Sequence, residues 1–205
     1  MIESRVELLS SVWSCPEVMS LLQRRDRMHA FVWSMFREHV ERPFIYAVDG
    51  NIIRIRSTST PSTPRGCRMR TGKWAPNIGR RGVLSGTINA VVQKNGRKHG
   101  LVSNMGDSFS EEGLRIEVEG YFNRRADRTG IVMDTTLNVE PSRHILGRQG
   151  RRPIVIEAVT FRSTVSIVDK AKALATLSKG IGSCRSFGFG LMDLEPMHKT
   201  LDDPL

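Results

Sequence analysis

Short apolar runs bounded by turn residues, with helical segments among them, restrict this chain to a fold built on small antiparallel sheets. The first half is predicted to contain a strand, a helix, a hairpin and a last strand, over Ser4–Ser10, Arg27–Val40, Phe44–Ser57 and Val83–Val92. The second half is predicted to contain three strands, a helix and a closing strand, over Leu114–Phe122, Ile131–Val139, Ile154–Val168, Lys170–Ser178 and Leu191–Leu194. This order is typical of α+β proteins and predicts two modules, over 1–95 and 96–196, followed by a tail over 197–205.

The charge of the chain is strongly basic and unevenly distributed. Lys and Arg number 31 against 21 Asp and Glu, which gives a formal net charge of +10. The segment 51–106 contains no acidic residue and eleven basic ones: Arg54, Arg56, Arg65, Arg68, Arg70, Lys73, Arg80, Arg81, Lys94, Arg97 and Lys98. A solvated surface usually mixes both signs, so this segment indicates a surface that binds phosphates.

Targeting and redox signals in the sequence favour a cytoplasmic protein. No run reaches the ~20 apolar residues of a membrane span, and Met1–Ser20 lacks the pattern of a signal peptide. The three cysteines, Cys15, Cys67 and Cys184, are too widely spaced for a zinc site and are expected to stay reduced. We expect no metal, no cofactor and no membrane partner.

His29 is the candidate catalytic residue of the predicted first helix. On a helix, positions 29, 33 and 36 lie on one side, so His29 stands above Trp33 beside an apolar stripe. Imidazole exchanges a proton near neutral pH and can act as a general acid or base. A histidine at the edge of an apolar stripe can also be purely structural, and the spacing alone does not decide between these roles.

A glycine-rich segment, Gly180–Gly190, follows the predicted last helix. It leads into a strand, whereas a dinucleotide-binding loop follows a strand and opens a helix, so a dinucleotide site is disfavoured. Gly180 can serve as a helix C-cap, but four glycines around Arg185 exceed what a cap needs. Glycines let backbone N–H groups approach an anion, and Arg185 adds a charged fork, so we predict contact with phosphates.

Two further segments are candidates for binding RNA. Gly96–Gly100 is predicted to be a basic turn that carries Arg97 and Lys98, although a solvated turn would have the same composition. Ser142–Pro153 is predicted to be a mobile basic loop or a hairpin tip, with the arginines Arg143, Arg148, Arg151 and Arg152.

Three motifs in this order resemble the CRISPR-associated endoribonuclease CasE, the precursor-RNA processing enzyme of type I-E systems. They are the H-x-x-[LV]-W-x-x-F pattern at His29–Phe36, the Gly-Arg-Lys turn at Gly96–Lys98, and the GIGxxxxxGxGL pattern at Gly180–Leu191. The strongest similarity covers Val159–Pro196, whereas 56–81 and 104–150 match poorly.

The resemblance implies two tandem ferredoxin-like (RRM-like) domains and metal-independent cleavage of CRISPR repeat RNA at the base of its stem-loop. His29 falls on the catalytic histidine of the family. Gly180, Gly182, Ser183 and Arg185 fall on its glycine-rich loop and are expected to contact RNA. The resemblance also implies that the enzyme stays bound to the mature CRISPR RNA as a subunit of a multisubunit interference complex.

The chain departs from the family pattern at several positions. Some family members have a tyrosine one turn before the histidine, where this chain has Asp26. Ser183 and Cys184 stand where basic residues are common, and the segment before His29 is longer. Relatives of this enzyme occur in type IV systems, so the subtype stays open.

Two other functions fit the same sequence. The chain can be a non-catalytic RNA-binding subunit of the same fold, or an unrelated basic RNA-binding protein such as a ribosome-associated one. Cleavage of repeat RNA in EDTA would separate the enzyme from the subunit, and preference for a repeat hairpin would separate both from the third.

Overall fold

The first half of the molecule is a four-stranded antiparallel sheet with one helix packed on it. The computed structural model describes residues 1–9, 21–94, 96–106, 109–149 and 152–197. The strands are β1 to β4, over Ile2–Leu8, Phe44–Asp49, Ile52–Ser57 and Cys67–Lys73, and their spatial order is β2-β3-β1-β4. Helix α1 spans Arg25–Trp33 and continues as a 3₁₀ turn over Ser34–Phe36.

Local sequence explains these elements. In β1, Val6 and Leu8 point to the buried face, and Met28 and Val32 of α1 pack against that face. Asp49 and Gly50 begin the turn of the predicted β2–β3 hairpin, and Gly50 adopts a positive φ of 54°. The helical conformation ends at Phe36 rather than at the predicted Val40, which is 98% exposed and therefore has no packing that would extend the helix.

The second half is a larger antiparallel sheet covered by helices. Its strands are β5, β8, β9 and β10, over Arg81–Ile88, Ile131–Gln149, Arg152–Ile167 and Met192–Pro196, in the order β10-β5-β9-β8. Strands β6 and β7, over Val91–Lys94 and Arg97–Gly100, form a separate hairpin. The helices are α2 to α5, over Leu101–Met105, Glu111–Asn123, Ala126–Thr129 and Lys170–Lys179.

Both sheets have the strand order of the ferredoxin-like fold, which confirms the predicted α+β class with two tandem domains. In each sheet the strand that comes first in the chain lies between the last and the third, and all pairs are antiparallel. The second domain carries helices in both crossover connections. In the first domain, residues 58–66 form a loop between β3 and β4 instead of a second helix.

The predicted strand Leu114–Phe122 is wrong, because this segment belongs to helix α3. Ser110 caps the helix by accepting a hydrogen bond from the Gly113 N–H at 3.0 Å. The buried residues Leu114, Val118 and Phe122 recur every four positions, whereas Ile116 is 59% exposed. The burial of these side chains therefore follows the period of a helix and not the two-residue alternation from which the strand was predicted.

The predicted strand Val83–Val92 belongs to the second sheet and is not the last strand of the first module. Its residues 83–88 lie in β5, which pairs with β9 on one side and β10 on the other, whereas Val91 and Val92 begin β6. A break at residue 95 would separate β5 from both neighbours. By strand pairing, the two sheets divide in the linker 74–80.

A polar network centred on Arg56 joins the two domains. The Arg56 side chain is 1% exposed and pairs with Glu3 of β1 at 2.8 Å and with Asp193 of β10 at 3.4 Å. It also donates to the carbonyl oxygens of Leu177 in α5 and Met192 in β10, at 2.7 and 3.1 Å. Arg54 adds an ion pair to Asp193. The network holds β3 against the end of α5, directly before the glycine-rich segment.

None of the helices in the described ranges is long and apolar enough to cross a membrane. Cys67 and Cys184 are free thiols, and Cys15 lies outside the described residues.

Candidate RNA-cleavage site

His29 lies on α1 among aromatic rings of three different elements. Its ring centroid is 5.9 Å from that of Trp33, 6.2 Å from Phe44 on β2 and 5.5 Å from Phe187 in the glycine-rich segment. The side chain is half-buried. The fold therefore brings the predicted catalytic histidine together with the glycine-rich segment, which is about 150 residues later in the chain.

The surroundings of His29 favour a neutral imidazole. Burial lowers its pKa from the ordinary value, the nearby Arg42 guanidinium lowers it further, and a backbone hydrogen bond to Ser186 acts in the opposite direction. The Nδ1 atom is buried and has no hydrogen-bond partner within the described part of the chain. An unpartnered buried nitrogen costs free energy, so it suggests a function other than stability.

The glycine-rich segment is held rigidly by its own backbone. The Ile181 N–H donates to the Gly190 carbonyl at 3.1 Å, and the Gly190 N–H donates to the Thr87 carbonyl at 2.7 Å. Gly190 has a φ of 83°, and a Cβ there would lie 2.1 Å from the Ile181 oxygen, so only glycine fits. These glycines close a turn between α5 and β10.

Two of the predicted anion-binding positions are used within the fold. The Ser183 N–H donates to the Asn89 carbonyl at 3.0 Å, and Gly182 lies against the same carbonyl. Gly180 is the C-cap residue of α5, which is the structural role that the sequence allowed for it. The Ser183 amide is therefore not free for a phosphate, and charge near this segment comes from Arg185 and its neighbours.

An open cavity of about 540 Å³ lies between the 3₁₀ turn Arg185–Phe187 and the first sheet. Its lining includes one acidic side chain, Glu41, and five basic or histidine side chains from both domains: His39, Arg42, Arg56, Lys179 and Arg185. Arg42 donates to the Ser186 hydroxyl, and Arg185 donates to the Lys179 carbonyl at 3.0 Å. His29 is not among the lining residues, but Arg42 is, and its charge lowers the pKa of His29. We call this the scissile cavity after the role that is proposed for it below.

A second cluster of titratable and aromatic side chains lies beside His29 and was not predicted from the sequence. One turn before His29, Arg25 contacts His144 Nδ1 of β8 at 3.3 Å, and its guanidinium lies 5.0 Å from the Phe189 ring centre. Burial and Arg25 lower the pKa of His144 to about 4. The Tyr46 hydroxyl is buried there and has no hydrogen-bond partner among the described residues, and burial raises its pKa, so it stays protonated. No local spacing could reveal this cluster, since His144 is 119 residues from Arg25.

The predicted basic loop Ser142–Pro153 is the far part of a long hairpin made by β8 and β9. The strands pair as far as Gln149 and Arg152, with three register shifts along the way, so the hairpin alternative is correct. Arg143 is 76% exposed and lies 3.6 Å from Glu157. Arg151 and the side chains of Arg148 and Arg152 lie outside the described residues. The side chains of Arg97 and Lys98, on β7, lie outside them as well.

Asp26 faces the same hairpin and not the scissile cavity. Its carboxylate pairs with Arg24 at 2.5 Å, and a Cβ at Gly147 of β8 would lie 3.3 Å from the Asp26 Oδ2 atom. The Arg24 hydrogen bond lowers the pKa of Asp26 below its ordinary value. The residue that departs from the family pattern is thus an ionised contact between α1 and the hairpin.

The expectation that the whole segment 51–106 binds phosphates is wrong at Arg54 and Arg56. Both arginines are engaged in the network between the domains, and Arg56 is buried apart from its edge on the scissile cavity. The acidic residues that pair with these arginines, Glu3 and Asp193, lie outside the segment 51–106. A count of charges along the chain cannot detect such pairing.

Known proteins share this sequence pattern and fold. A family model described as "CRISPR associated protein" matches residues 9–196. The CRISPR-associated endoribonuclease Cse3 of Thermus thermophilus is 33% identical over 88 residues, which are 43% of this chain and 39% of that relative. The sequence match therefore spans well under half of that relative's length.

Solved structures match over nearly the whole chain. A structure of the CRISPR endoribonuclease Cse3 bound to a 19-nucleotide RNA has a TM-score of 0.77 at 16% identity, and the match covers 96% of this chain and 100% of that one. A chain of a CRISPR RNA-guided surveillance complex has a TM-score of 0.62 at 14% identity, with the same coverage. These similarities establish the fold.

Proposed function

This chain belongs to the CRISPR associated protein family, and from that premise we propose that it is a metal-independent endoribonuclease that cleaves CRISPR repeat RNA. The observation that carries the proposal is His29, with an unpartnered ring nitrogen, beside a basic cavity between the two domains. The similar protein Cse3 of Thermus thermophilus is named as an endoribonuclease, and a solved structure of a Cse3 endoribonuclease contains bound RNA.

RNA supplies its own nucleophile in this reaction. The 2′-hydroxyl oxygen attacks the adjacent phosphorus, the bond from phosphorus to the 5′-oxygen breaks, and the 5′-oxygen takes a proton. The products are a 2′,3′-cyclic phosphate and a 5′-hydroxyl. The protein must accept one proton, deliver another and stabilise negative charge on the phosphorane, and no metal ion is required for these tasks.

We assign the first proton transfer to His29. Its lowered pKa keeps the ring neutral near pH 7, and a neutral imidazole accepts a proton from the 2′-hydroxyl. Because Nδ1 is enclosed, the transfer would use Nε2, and the Ser186 backbone group that hydrogen-bonds the imidazole would have to move aside for the substrate. Arg42 and Arg185 line the scissile cavity and would bind the phosphorane oxygens.

The β8–β9 hairpin is the element that we propose grips the stem of the repeat. Its arm packs against α1 through His144 and Arg25, so RNA bound to the hairpin is held at a fixed place relative to His29. The arginines at residues 143–152 would contact phosphates, and recognition would depend on the shape of an A-form stem and its 2′-hydroxyl groups. Arg97 and Lys98 on the β6–β7 hairpin are proposed to contribute in the same way.

We further propose that the cleaved RNA stays bound and that the protein becomes a subunit of a multisubunit complex. The fold of this chain matches a chain of a CRISPR RNA-guided surveillance complex over its full length. A non-catalytic RNA-binding subunit is the second candidate, because Asp26 replaces the tyrosine of some relatives and the 3₁₀ turn at Ser186 covers His29.

Substrate chemistry tests the proposal directly. A repeat RNA with a single 2′-deoxy substitution at the nucleotide before the scissile phosphate should bind normally but resist cleavage, because its nucleophile is missing. The unmodified RNA should be cleaved in excess EDTA. Denaturing gels with end-labelled RNA measure both. Efficient cutting of the deoxy substrate, or a strict need for Mg²⁺, would exclude this reaction class, and binding of repeat RNA without cleavage would select the non-catalytic subunit.

The hairpin assignment gives a second prediction. Reversing Arg148, Arg151 and Arg152 to glutamate should weaken binding of the repeat hairpin and reduce its dependence on salt, because fewer counterions are released on binding. Fluorescence anisotropy at several salt concentrations measures both quantities.

The matched control reverses three basic residues on the helices of the second domain, Arg115, Lys170 and Lys172, to glutamate. This variant has the same net charge, so a difference between the two triples reports position and not total charge. If both variants bind equally, the hairpin arginines have no specific role.

A further inference from the structure

A second open cavity, of about 600 Å³, shares Lys179 and Arg185 with the scissile cavity. Helices α3, α4 and α5 and the start of the glycine-rich segment surround it. Four of its lining residues are basic and none of the described ones is acidic: Arg125, Arg128, Lys179 and Arg185 carry the charge beside Tyr121 and Thr176. We call it the distal cavity. Its volume lies within the range of pockets that take small organic ligands.

Three guanidinium groups of the distal cavity lie around Tyr121 of α3. Arg125 donates to the Tyr121 carbonyl at 2.7 Å, and its guanidinium carbon lies 3.8 Å from the Tyr121 ring centre. Arg128 is exposed at the end of the short helix α4. Burial raises the pKa of the Tyr121 hydroxyl, and Arg125, Arg128 and Arg185 oppose this rise, which places all three guanidinium groups in its vicinity.

The distal and scissile cavities share two basic residues, Lys179 and Arg185, so positive charge extends from one cavity to the other. Arg42 lies at one end of this track, and Arg125 and Arg128 lie at the other. A single small anion would occupy one of the two cavities. A polymer with one negative charge per residue can occupy both at once, and its affinity would include contributions from each.

We propose that the distal cavity binds the phosphodiester backbone of single-stranded RNA that continues past the scissile phosphate, away from the stem. The inference rests on the proposed function, since it takes the scissile phosphate to lie near His29 and Arg185. A single strand fits a concave site of this size, whereas a duplex presents a broad surface to a flat or convex face. Arg128 and Lys179 bind the phosphates, and Arg125 lines the wall.

Two RNA substrates test the proposal. Both carry the cleavage-resistant 2′-deoxy substitution; one ends at the nucleotide after the scissile phosphate, and the other continues as a single strand. Arg128→Ala should bind the extended RNA about tenfold more weakly than the wild type, as expected for one lost charged contact. The slope of log affinity against log salt should fall by about 0.7. Affinity for the short RNA should stay at the wild-type value.

Helix α5 offers a matched pair of lysines for the same measurement. Lys179 lines the distal cavity, whereas Lys170 is at the opposite end of the helix, roughly 14 Å away. Lys179→Ala should weaken binding of the extended RNA, and Lys170→Ala should not.

Two results would overturn the distal site. One is equal loss of affinity by Arg128→Ala for both RNAs, and the other is no loss for the extended RNA. These outcomes differ from failure of the proposed function, in which the wild type would show no cleavage of the unmodified hairpin or no preference for it.

Discussion

Replacing His29 with alanine should lower the single-turnover rate of RNA cleavage by about 10²–10⁴-fold, the range that a general acid or base contributes. Affinity for the repeat RNA should stay close to that of the wild type. His29 is one half-buried imidazole among aromatic rings; its loss removes the hydrogen bond to the Ser186 backbone but no cationic contact to phosphate, because the neutral ring carries no charge. Rapid-quench measurement at saturating protein separates the chemical step from binding.

His39→Ala is the matched control for this variant. His39 also lines the scissile cavity, but it is exposed and is not enclosed by aromatic rings of three elements. We expect the His39→Ala variant to cleave RNA at nearly the wild-type rate. An unchanged rate in His29→Ala, or equal losses in both variants, would remove His29 from the mechanism.

The pH dependence of the wild type provides an independent check on the role of His29. A general base acts in its neutral form, and the neutral fraction rises with pH through the pKa of the group. Because burial and Arg42 lower the pKa of His29, the rate should rise through a pH range below the ordinary histidine value and level off near neutrality. The residual rate of His29→Ala should lack this rise.

Replacing Arg56 with methionine should destabilise the protein by about 3 kcal/mol, the lower part of the range for breaking a buried ion pair. The substitution keeps an unbranched side chain over Trp74 but leaves two carbonyl oxygens without their donor. It also removes one of the two arginines that pair with Glu3 and Asp193, the other being Arg54. Glu3 and Asp193 are each about one third exposed and regain some hydration, which is why the lower value is expected. Urea unfolding measures the change.

Arg68→Met is the matched control. Arg68 is also an arginine of the first sheet paired with a glutamate of β1, Glu7, but it is 64% exposed and the two groups are 3.9 Å apart. A surface pair of this kind contributes between 0 and about 1 kcal/mol. If Arg56→Met and Arg68→Met unfold at the same urea concentration, the network does not stabilise the contact between the domains.

A third variant keeps this prediction testable if Arg56→Met does not fold. Arg56→Lys retains the charge and loses the planar fork that reaches four acceptors at once. It should be intermediate in stability between the wild type and Arg56→Met.

Elements whose signals lie within a few residues could be predicted from the sequence. Helix α5 matches the predicted helix Lys170–Ser178, and the Asp169 carboxylate before it accepts a hydrogen bond from the Lys172 N–H at 3.0 Å, which is a local N-cap signal. The β2–β3 hairpin follows from Asp49–Gly50 in the same way. The strand order of the two sheets, by contrast, was available only through the resemblance to a known family.

Helix α3 shows where local pattern is insufficient. The sequence of Leu114–Phe122 alternates apolar and polar residues, and it also repeats apolar residues every four positions. Both periods are present, so propensity alone cannot choose between strand and helix. The choice depends on which side chains find a core, and the packing buries Leu114, Val118 and Phe122 while leaving Ile116 exposed.

The sequence by itself determined the helix that carries His29, the excess of positive charge and the short turns. These depend on capping, periodicity and composition within a few residues. Only the tertiary structure decided that Arg56 is a buried link between the domains and that His144 contacts Arg25. Their partners are up to 137 residues away in the chain. Hydrogen bonds and ion pairs depend on distance in space, and that distance exists only after both sheets have formed and packed together.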